Sequence, residues 1–373
     1  MDSYVESSEV LSQVISAFRR DPLVAVDTEA ASFHKYLDRI YLIQLSTIAH
    51  TAVIDPLAVV DLTPVGDLLA DPAVEKVFHD ADYDLRILDR DYRFRASSLF
   101  DTRIAAQLAG EPAIGLAALL EKYVGVKLSK AHQRADWSQR PLPREMLAYA
   151  ADDTRHLPAL REALRTRLRE LGRLDWAEEE FGPLEALRWT GATNAADGYL
   201  RLKGARTLTA RQLGALRELY LWREELAARQ DRATFRIIGN EALLAVSRSL
   251  PRTVADLAQT AGVPPVLAAR HGAEMIECVH RALALDEVAL PRMERSLRMP
   301  KDPAFDARVE RLKAVRNRVA AELGLDPGVL CGRNTLEAVA RAHPNDRAGL
   351  AQVGALRRWQ IAVLGDALLA ALA

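Results

Sequence analysis

Little in this 373-residue chain invites covalent or thiol chemistry. Its two cysteines, Cys278 and Cys331, are too few for a disulfide framework, and that usage suits a reducing compartment. None of its eight histidines stands at a zinc-like spacing, which argues against a zinc enzyme. No GxxxxGK[ST] loop occurs, so the chain is not a nucleotide-driven motor, and no dinucleotide cofactor is expected. No apolar run is long enough to span a bilayer. The acidic start MDSYVESSEV lacks a charged-then-apolar leader pattern. A net charge of -1 gives no global attraction for a polyanion, so any basic surface has to be local. These absences predict a soluble, cytoplasmic protein, with a monomer as the default.

What is present falls into two halves. PLVAVDTEA, RIYLIQLST and TAVIDPL are β-rich runs separated by turn-length segments, which predicts antiparallel neighbours. Strand and helix signals then alternate: DLTPVGDLLA, EKVFH, ADYDLRILDRDY, SSLFDT, TRIAAQLAG and GLAALLEKYVG. A polar, Pro-rich loop, SKAHQRADWSQRPLP, precedes a long helical segment from Pro143 to Gly172 that Pro158 should kink or break. This pattern predicts a mixed α/β sheet flanked by helices.

From about residue 171 the strand signal disappears. Residues 219–258 align without a gap on 312–351, with coincident Arg223/Arg316, Gly239/Gly332, Leu243/Leu336, Val246/Val339 and Pro251/Pro344. Two copies of one small all-α domain are expected, joined by the linker DEVALPRMERSLRMPKDP. The organisation is therefore 1–170, a connector 171–208, a first helical domain 209–290 and a second 291–373.

Asp27 and Glu29, two apart on a strand, share one face and repel each other unless a cation holds them. Asp84 lies just past the EKVFH strand, in the first turn of the next helix, and Asp153 one helical turn after Tyr149. Four carboxylates and a phenol from strand, helix start and helix suit hard divalent ions. Two such ions can activate water and stabilise the leaving oxygen of a phosphodiester, with Tyr149 placed to orient or help deprotonate that water. Asp152 competes with Asp153, and Asp80 and Asp82 with Asp84; only Asp153 shares the face of Tyr149, and Asp82 is expected to cap its helix.

In this order, VDTE, HDADYDL and YAADD resemble the three motifs of the DEDD superfamily of 3′–5′ exonucleases, in its tyrosine-containing branch. With LIQLS, IDPL, FDTRIAAQL and RADWSQRPL the chain is similar to the ribonuclease D family, and the helical repeat resembles the HRDC domain. The resemblance implies a ribonuclease H-like exonuclease domain followed by two HRDC-type domains. It further implies Asp27, Glu29, Asp84 and Asp153 as metal ligands, Tyr149 beside the attacking water, and divalent Mg²⁺ or Mn²⁺ as cofactor, two ions per site. The implied substrate is RNA with a free 3′ end, tRNA precursors included. The rivals are a DNA exonuclease and a nucleic-acid-binding scaffold without turnover.

Substrate contacts are expected from Thr28, Phe33 and His79, the last more naturally a hydrogen-bonded orienting group at a strand end. Local arginine surplus in 209–252 and 295–318 suits phosphate contact, for the first repeat more than the second. Arg134 and Arg140 are candidates for backbone contact, with pairing to Asp136 as the structural alternative. Trp222, Tyr220 and Phe235 are expected in the core.

Overall fold

The predicted antiparallel run is present as three neighbouring strands, β2 (Leu23–Ala30), β3 (Ile40–Ser46) and β4 (Thr51–Ile54). They belong to a computed structural model that describes residues 2–129, 131–191, 195–293 and 302–373. β5 (Glu75–Phe78) and β6 (Leu99–Asp101) continue the sheet in parallel beyond β2. A further strand, β1 (Asp2–Val5), pairs in parallel with β4, giving the order β1-β4-β3-β2-β5-β6. β1 was not anticipated. Its four residues carry no periodic signal long enough to see, and its place at the edge is set by β4 and by the Tyr4 hydroxyl, which donates to Asp55 at 2.7 Å.

Every residue of β3 is buried, because helices cover both faces of the sheet. On one face Val24, Val26, Ile43 and Leu45 pack with the helices Ser8–Phe18, Thr63–Ala70 and Asp82–Tyr92. On the other, Leu23 and Ala25 face the helix Leu157–Glu170, while Leu42 and Val53 meet the helix Arg144–Arg155. The long C-terminal helix of this domain is indeed interrupted at Pro158, with one helix ending at Arg155 and the next starting at Leu157.

The helical repeat is a structural repeat. Helices Ala210–Gln230 and Asn240–Ser249 correspond to Pro303–Leu323 and Arg333–Ala342, and the left-handed C-cap Leu250 to His343. The shared arginine explains itself: Arg223 donates to the Ile238 carbonyl and Arg316 to that of Cys331, each tying the long helix to the loop before the next. Arg223 is buried, and Arg211 donates to the carbonyls of Leu283 and Ala282, so these two arginines of the basic stretch serve the fold rather than a phosphate. Residues 294–301, which include much of the predicted linker and the start of the basic stretch 295–318, lie outside the described residues.

The two copies meet the exonuclease-like domain differently. The second shares one apolar core with it: Leu312, Leu336 and Leu364 join Leu108, Leu119 and Leu164, and Trp176 stacks on Trp359 at 4.7 Å. The first has its own core and touches the sheet domain mainly through the segment 31–36.

Candidate active site

β2 leaves the core at its C-terminal end. Leu23 and Ala25 are buried on one face, and Asp27 and Glu29 continue that face to where a bulge after Glu29 ends the regular pairing with β3. Asp153 comes to the same place from the helix Arg144–Arg155. That helix is pinned to the sheet beside it by the buried Thr154, whose hydroxyl lies 2.7 Å from that of Ser46. One carboxylate oxygen each of Asp27, Glu29 and Asp153 falls within 4.8 Å of the others, and each side chain keeps part of its surface open to solvent.

Asp84 is buried in the first turn of its helix, alongside this trio, and is the largest charge acting on Asp27. It accepts a hydrogen bond from the Thr28 hydroxyl. Burial, then mutual repulsion, holds the carboxyls of Asp27 and Glu29 well above the usual carboxylate range. Burial pushes Asp84 and Asp153 up to about 7. A cluster of hard oxygen donors that repel one another and have few hydrogen-bond donors fits a hard divalent cation.

The competing acids are already paired. Asp80 forms an ion pair with Arg103, Asp82 with Arg86 at 2.7 Å, and Asp152 with Arg155 at 2.7 Å. Asp82 does not cap its helix: the N-cap is Ala81, without a side-chain bond. The loop is held instead by the buried Asp101, which accepts from the backbone N–H of Ala81 at 2.7 Å and of Ile104 at 3.0 Å. The FDT run before a helix is the local signal that could have identified that cap.

Tyr149 faces Asp153, Glu29 and Asp27. Burial and these charges raise its phenol well above its ordinary value, while the rings of His132 and Trp137 flank it at 5.6 and 6.1 Å. Among the weaker candidates, Thr28 holds Asp84 through its side chain. Phe33 is 43% exposed beyond the end of β2. His79 points to Thr102 at 2.9 Å and feels Asp80 and Arg103 rather than the acid cluster; burial pushes it down to about 4, so it is neutral. Arg140 does not meet Asp136. It grips Asp55 through Nε at 2.5 Å and Nη2 at 2.9 Å, and so fastens the 131–143 loop under Tyr149.

One residue at the site escaped the sequence reading. Gln44 lies directly across from Asp27 on β3, is fully buried, and neither amide atom has a partner among the described residues. Cross-strand register places its side chain on the face of Asp27. A polar residue inside the apolar run IYLIQLS was its signal.

The same fold and domain order recur in known proteins. Residues 3–169 match the 3′-5′ exonuclease family model, and 212–279 and 305–372 each match the HRDC domain, at the offset of the internal repeat. The chain is 35% identical to a ribonuclease D of Granulibacter bethesdensis, covering 98% of this chain and 91% of that protein. It is 28% identical to ribonuclease D of Escherichia coli K12, over 91% and 90%. The crystal structure of Escherichia coli RNase D, described as an exoribonuclease involved in structured RNA processing, superposes with a TM-score of 0.72 at 26% identity, covering 99% of this chain and 98% of that one. The catalytic core of RRP6 from Trypanosoma brucei matches with a TM-score of 0.67 at 27% identity, over 76% and 81%.

Proposed function

The chain belongs to the ribonuclease D family of 3′–5′ exoribonucleases, and from that premise we propose that it removes nucleotides one at a time from RNA 3′ ends, tRNA precursors among them, with two divalent ions held by Asp27, Glu29, Asp84 and Asp153. The observation that carries the reading is the meeting of Asp27, Glu29 and Asp153 within 4.8 Å, with Asp84 beside them. Mg²⁺ or Mn²⁺ bound there would neutralise the acids, activate a water and stabilise the departing oxygen.

The protein's own part is positioning. A rigid strand and two anchored helices present the four carboxylates, and the Thr28 hydroxyl fixes one oxygen of Asp84. Tyr149 faces Asp153, Glu29 and Asp27 from the helix Arg144–Arg155, and its hydroxyl is placed to orient the attacking water. Water adds to the 3′-terminal phosphodiester phosphorus, and the bond to the 3′ oxygen of the preceding nucleotide breaks. The products are a nucleoside 5′-monophosphate and a shortened RNA with a free 3′ hydroxyl.

The reading takes the protein to be a cytoplasmic monomer; among the described residues no helix is long and apolar enough to cross a membrane. The test is end-labelled single-stranded RNA and DNA incubated with Mg²⁺ or Mn²⁺, with Asp27→Ala as control. The reading predicts stepwise 3′ shortening of RNA that the substitution abolishes. Preference for DNA, or tight binding without cleavage, would overturn it in favour of one of its rivals.

A further inference from the structure

The first HRDC domain touches the exonuclease domain just where β2 leaves the acid cluster. The Ala233 N–H donates to the His34 carbonyl at 3.1 Å, Arg236 Nε donates to the Phe33 carbonyl at 2.5 Å, and Lys35 pairs with Asp231 at 2.8 Å. These polar ties, together with Tyr36 packed against the core of the helical domain, hold the segment 33–36 in place. Yet Phe33 and Phe235 meet edge to face at 6.2 Å while remaining 43% and 53% exposed, and the Arg134 guanidinium lies over Phe33 at 5.4 Å. The expectation that Phe235 sits in the core is therefore wrong. Adjoining Arg236 is a cavity of about 190 Å³ that Arg232 and Arg270 line, over an apolar floor of Leu226 and Ile237. Among the described residues no acidic one lines it.

The second copy of the domain is an internal control. At the offset of the repeat, Arg232, Phe235, Arg236 and Arg270 correspond to Leu325, Gly328, Val329 and Val363. The same fold forms with neither the ring nor the cations, so the fold does not require them. They occur in the copy that borders the acid cluster.

We propose that this junction is a nucleotide subsite for single-stranded RNA upstream of the 3′ end, shared between the two domains. A base stacks on the Phe33–Phe235 pair, and Arg134, Arg232 and Arg270 receive the flanking phosphates. Phe33 is four residue steps along the chain from Glu29, at most about 14 Å, so a strand whose last phosphodiester lies at the acids passes this surface. The inference rests on the exonuclease reading above, since it gives the strand its direction.

The test is steady-state cleavage by the full chain of a dinucleotide and of a long single-stranded RNA. Phe235→Ala and Phe235→Leu each raise KM for the long RNA by about tenfold, leave its kcat unchanged and leave the dinucleotide untouched, while Phe235→Tyr behaves as wild type. Leucine would preserve mere domain packing, so a wild-type Phe235→Leu overturns the proposal, as does an equal loss on both substrates. Should Phe235→Ala fail to fold, Arg232→Ala and Arg270→Ala serve. Each lowers the salt dependence of log KM for long RNA by a slope of about one, and an unchanged slope contradicts the subsite. Wild-type protein that cleaves no RNA refutes the exonuclease reading; wild-type protein that cleaves normally with insensitive junction variants refutes only this inference.

Discussion

Two groups of carboxylates are drawn out of water in this molecule, and their surroundings are opposite. At the seam with the second HRDC domain, Glu179 accepts the backbone N–H of Arg358 at 2.8 Å and of Trp359 at 3.1 Å, so the connector helix Leu174–Glu185 caps the last helix of that domain. Against the effect of burial, those donors hold its carboxyl below the usual range. Glu180 beside it accepts from Trp359 Nε1 at 2.9 Å. At the end of β2, by contrast, Asp27 has the Thr28 backbone N–H and three acids for neighbours. A carboxylate given donors ties elements together. A group of carboxylates denied them stores repulsion that a cation relieves, and that asymmetry separates the structural acids from the candidate catalytic ones.

The largest effect expected is on the second group. Asp27→Ala should lower kcat by at least about 10³-fold while the melting temperature of the metal-free protein stays level or rises, because a repelling charge is gone. A metal-free protein that melts clearly lower would make Asp27 a structural acid like Glu179 and erase the contrast. Next comes the seam. Glu179→Ala should destabilise the protein by about 1–2 kcal/mol in denaturant titration, the usual loss for a helix cap, with kcat on a short RNA unchanged. Equal damage to turnover would show the seam to be coupled to the site.

Tyr149→Phe should slow kcat by about tenfold at constant KM, the loss of one orienting hydrogen bond. Undiminished turnover would remove Tyr149 from the mechanism.

The smallest effect is in pH. The folded-state values of Asp84 and Asp153 are raised to about 7 from 3.8, so the folded protein binds more protons than the unfolded chain in that interval. Their contribution to stability is full below about 4 and is lost as pH rises through about 7. Metal-free protein should therefore melt a few degrees lower at pH 7.5 than the same protein with Mn²⁺, and the gap should close toward pH 4; a gap independent of pH would contradict the assignment.

Local chemistry explains which of these features the sequence displays. Asp27 and Glu29 are visible because strand alternation puts i and i+2 on one face, and Tyr149 with Asp153 because helix geometry stacks i and i+4. The internal repeat showed through Gly239/Gly332 and Arg223/Arg316, which serve the same turn and the same carbonyl in both copies. What stayed hidden depends on partners remote in the chain. β1 exists only because β4 offers an edge, Gln44 matters only opposite Asp27, and Arg140 finds Asp55 across the sheet rather than the nearer Asp136. Phe235 looks like any apolar helix-end residue until its copy at Gly328 shows the core does not need it.

The central claim is that the acids at the end of β2 exist to bind divalent cations. Calorimetric titration of Mn²⁺ into the full chain near pH 8, with wild type beside Asp27→Asn, tests it without reference to turnover. Asn keeps the shape and removes the charge, so the account predicts binding in wild type that the variant loses or weakens at least about tenfold. Equal Mn²⁺ affinity in the two proteins would mean that the cluster is not the metal site.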